Sequence, residues 1–202
     1  MKLYYAPGAC SLAPHIALRE AGLSFELEKV DLASKQTENG EDYTKVNPNG
    51  YVPTLKLDNG EILSEVAVLL QYIADEKPNS KLAPELGSME RYRLMEWLNF
   101  IATEIHKTLG ALFNPSITPE WKDSQLATFG KRCDSLVEQL DDKQYLLGDS
   151  FTIADAYLFT TLSWTRFHKV DMSKWPTLTD YMTRVAERPA VTEAMQKEGL
   201  IH

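Results

Sequence analysis

Apolar and polar positions divide the chain into a first part of mixed strand and helix pattern and a second part that is helical throughout. Lys2 to Ala6 reads as a strand and Pro7-Gly8-Ala9 as a turn. A helix follows from about Ser11 to Ala21, stopped by Gly22, with Pro14 in its first turn, where a missing N–H costs little. Ser24 to Asp31 alternates apolar and charged residues through Phe25, Leu27 and Val30, the pattern of a half-buried strand. Glu38 to Val46 is expected to hold a short helix ahead of the Asn47-Pro48-Asn49-Gly50 loop. Apolar residues on both sides of Asp58-Asn59-Gly60, at Leu55 and Leu57 and at Ile62 and Leu63, predict an antiparallel hairpin, and a helix runs from about Glu65 to Glu76. Residues 1–77 thus form a complete α/β unit.

Residues 78–88, rich in Pro, Gly and Ser, read as a linker. Beyond them every periodic stretch is helical: Met89 to Leu112, Glu120 to Leu140, Ile153 to Phe167, Leu178 to Glu187 and Ala190 to Glu198. Thr152-Ile153-Ala154-Asp155 carries the signature of a capping box, with Phe151 placed as its hydrophobic staple, and is read as structural. The expected architecture is an α/β domain, a linker and an all-helical domain over residues 89–202.

Composition narrows the function classes. At 202 residues with 44% hydrophobic content the chain can bury a sizeable core, and its net charge of -8 argues against nucleic acid or an anionic membrane as partner. No apolar run approaches the roughly 20 residues of a membrane span, and Met1 to Gly8 is too short an apolar run for a signal peptide, so a soluble, cytoplasmic protein is expected. Two cysteines far apart in sequence, Cys10 and Cys133, make no disulfide framework. The four histidines lack metal-ligand spacing, and no Walker loop, G-x-G-x-x-G or G-x-S-x-G is present, so no metal is expected and nucleotide chemistry drops out.

What chemistry remains centres on the hairpin. Pro53 lacks an N–H and belongs at the first residue of a strand or on an edge; a cis Val52-Pro53 bond would turn the N–H and C=O of Val52 outward, where an extended peptide docks like one more strand. At the far end, Ser64-Glu65 stands before a helix start whose free N–H groups favour a carboxylate, while Glu65 itself is negative; together they complement the carboxylate and ammonium of an amino acid. The same residues also suit a plain Pro-started hairpin with Ser64 as an ordinary N-cap. Cys10, between a Pro-Gly turn and a helix start, has the setting that favours a thiolate, although a free cysteine is more often inert and buried. With Ala13 at the third position after it there is no C-x-x-C partner, so a second thiol must come from outside. Asn99, Thr103 and His106 fall at i, i+4 and i+7 of a helix with Lys107 beside them, a stripe that suits either the wall of a polar cleft or a solvated face.

The chain resembles the glutathione S-transferases, in particular the bacterial beta class. The likeness spans essentially the whole chain: Met1-Lys2-Leu3-Tyr4-Tyr5, Pro7-Gly8-Ala9-Cys10-Ser11-Leu12, Asn47-Pro48, Val52-Pro53, Ser64-Glu65, Glu96 to Ala102, His106-Lys107, Phe151 to Phe159 and Glu187-Arg188-Pro189. It implies a thioredoxin-like N-terminal domain, an all-α C-terminal domain, a homodimer, and glutathione as co-substrate with no further cofactor. By the same resemblance, Val52 docks the cysteinyl backbone, Glu65 and Val66 hold the γ-glutamyl end, Lys35 meets the glycine carboxylate and Cys10 faces the sulfur. Tyr5 and Ser11 are further donors to a thiolate. Asn99, Thr103, His106 and Lys107 are expected to face Cys10, with His106 and Lys107 stabilising a thiolate by hydrogen bond and charge. Phe113, Trp164, Phe167 and His168 are expected to line the electrophile pocket. Many relatives carry Ser or Gly after that Glu; with Val66 a hydroxyl contact is lost while the backbone N–H survives, so weakened binding is expected. Three activities fit: glutathione transfer to electrophiles, glutathione-dependent thiol transfer or peroxidase chemistry, and a non-catalytic binding module, against which the joint presence of Cys10, Glu65 and His106 argues.

Overall fold

The computed structural model describes residues 1–201 and divides into two compact units. The first comprises residues 1–83 together with the chain from Arg188 on; the second comprises Pro84–Glu187.

In the first unit, β1 (Lys2–Tyr5), α1 (Leu12–Glu20) and β2 (Glu26–Asp31) make a parallel crossover, and β4 (Thr54–Lys56) and β5 (Ile62–Ser64) make the expected hairpin before α2 (Val66–Glu76). A two-residue strand, β3 (Gln36–Thr37), pairs with β2 and completes the order β3-β2-β1-β4-β5. Leu3 pairs Leu27 on one side and Leu55 on the other, so the apolar residues of three strands align. Alternate residues of β1 serve opposite faces. Tyr4 joins Ala6, Val30, Tyr43 and Val52 in one buried cluster, whereas Tyr5 lies towards α1, with its ring 6.2 Å from that of His15.

The short helix expected over Glu38 to Val46 is replaced by β3 and a single 3₁₀ turn at Tyr43–Lys45. Gly40, with φ 81°, turns the chain, and the N–H of Glu38 bonds the Lys29 carbonyl, so the segment is drawn into sheet pairing. Asp42 then caps the 3₁₀ turn by accepting from the Thr44 N–H.

The second unit contains α3 (Met89–Phe100), a π-helical segment (Ile101–His106) and α4 (Lys107–Ala111) in direct succession, then α5 (Pro119–Leu140), α6 (Ile153–Ser163), α7 (Thr165–His168) and α8 (Pro176–Ala186). Helix α6 is buried all round from Ile153 to Leu162, as its apolar residues on every face require. Its start is organised by Asp155, fully buried, which accepts from the Thr152 N–H and hydroxyl (both 2.8 Å), the Leu146 N–H (2.9 Å) and the Tyr181 hydroxyl (3.0 Å).

The last helix, α9 (Pro189–Lys197), expected within the helical domain, packs instead on α1 in the first unit. The reason is a set of long-range polar contacts. Arg188 grips Glu20 with two bonds of 2.6 and 2.8 Å, Arg19 pairs with Glu193, and buried Glu198 accepts from the Gly8 N–H (2.9 Å) and meets His15 Nδ1 at 2.8 Å. Among the described residues no helix is long and apolar enough to cross a membrane, and no group of three His, Cys, Asp or Glu is placed to hold a metal ion.

Candidate active site

The turn from Ala6 to Leu12 is fixed from within and from α9. Ser11 Oγ accepts from the Ala6 N–H and donates to the Ala6 carbonyl, both at 3.2 Å, and Gly8, at φ 71°, is tied to Glu198. Cys10, partly exposed just ahead of α1, points its Sγ at the carbonyl of Val52, 3.3 Å away. The Val52-Pro53 bond is cis, as anticipated. The Val52 carbonyl is not free, because it takes the Cys10 thiol, whereas its N–H has no hydrogen-bond partner among the described residues. That N–H is a strand edge ready to pair with an extended peptide.

Two further groups lie on the same unit. Lys35, in a left-handed conformation at φ 58°, donates from Nζ to the Gly50 carbonyl (2.9 Å) and sits 5.6 Å from the centre of the Tyr51 ring, next to Val52 in sequence. Glu65, at φ 70°, ends the turn from β5 into α2; its side chain is exposed and caps nothing. A positive φ at a non-glycine residue is costly and concentrates at ligand sites. Val66 buries its side chain and leaves its N–H at the open start of α2.

Ser11 does not fit the donor role expected of it: it is fully buried and its hydroxyl is committed to Ala6. Tyr5 is buried beside His15, and burial, reinforced by the charge of Glu198, pushes its pKa up, so it stays a phenol. Cys133 has no exposure, and burial pushes its thiol up to about 12.

In the helical unit the stripe expected at Asn99, Thr103 and His106 is broken by the π segment, whose wider turn shifts the phase of everything after it. Asn99 and Thr103 are exposed, with the Thr103 hydroxyl bonded back to the Asn99 carbonyl at 3.1 Å. His106 instead turns inward to Tyr157, Nδ1 to hydroxyl 2.6 Å, with its ring edge-on to Trp164 at 4.9 Å. Lys107 is exposed. Burial, aided by the charge of Lys107, lowers the pKa of His106 to about 4. A charged His106 stabilising a thiolate does not fit this burial: above about pH 5 the imidazole is neutral and has no charge to offer.

This has a pH signature. Because the folded pKa lies below the unfolded value near 6.5, the neutral ring contributes stability that is fully present above 6.5 and lost as pH falls towards 4. The His106 ring resonances are expected to stay constant from pH 8 to 5 in an NMR titration; a midpoint near 6.5 would contradict the geometry.

Trp164 extends the aromatic group. Phe113 packs on it at 5.6 Å, on His168 at 4.3 Å and on Phe167 at 6.3 Å, while Phe113 and Phe167 remain half exposed. Burial lowers the pKa of His168 as well, and its Nε2 is buried without a hydrogen-bond partner. Sequence reading missed Tyr157, which carried no local signal beyond a buried apolar run, and Glu198, whose partners lie some 180 residues away.

Comparison with known proteins gives a consistent picture. The family model for the glutathione S-transferase N-terminal domain matches residues 8–76 and that for the C-terminal domain matches residues 100–189. The chain is 47% identical over 200 residues to the glutathione S-transferase GstA of Escherichia coli O157:H7, covering 99% of this chain and all of that one. Among solved structures it is similar to the beta-class glutathione S-transferase of Sphingomonas chungbukensis (TM-score 0.96, 47% identity, both chains fully covered). It is similar also to a sphingomonad glutathione S-transferase complexed with glutathione (TM-score 0.95, 46% identity, both chains fully covered).

Proposed function

The chain belongs to the glutathione S-transferase family, and we propose that it conjugates reduced glutathione to electrophilic small molecules, with Cys10 able to carry glutathione as a mixed disulfide. The observation that carries this reading is the unpartnered Val52 N–H beside a carbonyl that already holds the Cys10 sulfur at 3.3 Å. A peptide paired to Val52 sets its own cysteine next to Cys10. The γ-glutamyl carboxylate then meets the N–H groups at the start of α2, its ammonium meets Glu65, and the glycine carboxylate meets Lys35. Conjugation needs the thiol proton of glutathione to leave to solvent, after which sulfur attacks the electrophilic carbon and the leaving group departs.

The aromatic surface of Phe113, Trp164 and His168 is assigned to the electrophile, and His106, held by Tyr157, packs against Trp164. Glutathione-dependent thiol transfer or peroxidase chemistry at Cys10 is the second reading, favoured by its partial exposure. A cytoplasmic, homodimeric protein completes the proposal. The face of α3 that exposes Met89, Tyr92 and Met95 is apolar surface of the kind an isologous contact covers. Sedimentation at micromolar concentration is expected to give a dimer, and only monomer would refute it.

Retention on immobilised glutathione followed by a chlorodinitrobenzene assay tests the function. Within it, Lys35→Ala is expected to weaken glutathione binding by about 1–2 kcal/mol, the range of a charge-assisted hydrogen bond. An unchanged affinity in low-salt calorimetry would remove Lys35 from the site.

A further inference from the structure

Behind the docking edge lies a closed polar network that neither the Cys10 turn nor the aromatic group uses. Tyr43 and Thr54 are fully buried and Asn47 is 7% exposed. Tyr43 Oη lies 2.8 Å from the Tyr51 carbonyl and 2.7 Å from Thr54 Oγ1; Asn47 Nδ2 lies 2.9 Å from that carbonyl and 3.1 Å from that hydroxyl.

The protons in this network have one consistent arrangement. Asn47 Oδ1 accepts from the Asn49 N–H at 3.1 Å, which fixes the amide so that both its hydrogens face the network. One goes to the Tyr51 carbonyl and the other to Thr54 Oγ1. The single Tyr43 hydrogen goes to the Tyr51 carbonyl, and the Thr54 hydroxyl donates to Tyr43 Oη. Every donor is used and the carbonyl's two lone pairs are filled, the condition under which a buried network rigidifies its surroundings.

The gripped atoms flank Val52-Pro53. Pro53 has no N–H, so between Tyr51 and Thr54 the side chains do the holding that a sheet ladder does elsewhere. The network also joins the other docking groups: the Tyr43 N–H bonds the Lys35 carbonyl at 2.9 Å, and Thr54 pairs with Ser64, next to Glu65.

We propose that Tyr43, Asn47 and Thr54 are positioning residues that set glutathione affinity by holding the Val52 edge in register with Lys35 and Glu65, without touching the peptide. This rests on the glutathione-binding function proposed above.

The test is glutathione affinity by calorimetry, with kcat and both KM values, on wild type, Thr54→Val, Thr54→Ser and Tyr43→Phe, well below each melting temperature. Thr54→Val keeps the shape but strands an Asn47 hydrogen and a Tyr43 lone pair. It is expected to raise Kd and KM for glutathione about tenfold while kcat at saturation and KM for the electrophile stay within about twofold. Thr54→Ser restores the hydroxyl and is expected to bind within about threefold of wild type. Tyr43→Phe, with Asn47 still on the carbonyl, is expected to lose several-fold, and it carries the test if Thr54→Val does not fold. Variants that melt earlier yet bind glutathione like wild type, or that lose kcat with an unchanged KM, would overturn the proposal. Wild type that does not bind glutathione would overturn the function first and this role with it.

Discussion

Oxidised glutathione is expected to load one glutathionyl group onto this chain, at Cys10, which intact mass spectrometry would show on wild type and Cys133→Ala but not on Cys10→Ala. The two thiols differ in exposure and in surroundings. Cys10 is partly exposed, stands at the start of α1 and lies 3.3 Å from the Val52 carbonyl, where the proposed peptide pairs. Cys133 has no exposed surface, and burial pushes its thiol up to about 12, so it stays protonated at pH 7. The step balances: the Cys10 thiolate attacks one sulfur of the disulfide, the old S–S bond breaks, and one glutathione leaves as thiolate while the other stays bound to protein. An adduct that survives in Cys10→Ala and disappears in Cys133→Ala would reverse the assignment.

The largest stability effect is expected at Asp155. Its carboxylate gathers four donors from Leu146, Thr152 and Tyr181, joining the loop before α6, the first turn of α6 and α8. Burial and the charge of Asp155 hold the Tyr181 phenol far above its ordinary pKa, so it remains a donor. For Asp155 itself burial pushes the pKa up against the pull of the four donors. Asp155→Ala strands two buried N–H groups and the Thr152 hydroxyl and leaves the Tyr181 hydroxyl only the residue-155 carbonyl at 3.4 Å, and is expected to cost about 3–5 kcal/mol. Urea unfolding of the variant reads this directly; a loss below about 1 kcal/mol would show the box to be dispensable.

The parts of the fold legible in sequence were those with local signatures. The Thr152 capping box, the Asp58-Asn59-Gly60 hairpin and the Pro53 position each depend on residues within a few places of one another, and each stands in the structure as read. What was not legible depends on distance or on a change of period. No local pattern announces that Glu198 will reach Gly8 and His15, so periodicity alone leaves α9 with the helical domain, whereas it packs with the first unit. A stripe counted at 3.6 residues per turn cannot register a π segment, so it sets His106 beside Asn99 and Thr103 rather than against Tyr157. Residue type and position suggest Ser11 as a donor to a thiolate; only the structure shows it buried, with its hydroxyl spent on Ala6. The role of Lys35 rests on family resemblance, since its residue type alone also describes an ordinary loop, whereas Glu65 and the start of α2 are legible as a site for an amino-acid end but equally as an ordinary helix start.

Wild-type conjugation of glutathione to chlorodinitrobenzene, followed against glutathione concentration, tests the central claim most directly. A rate above the uncatalysed reaction that saturates with glutathione, and falls in affinity but not in limiting rate for Lys35→Ala, is the expected result. A rate no greater than that of the reagents alone, with no retention on immobilised glutathione, would contradict it.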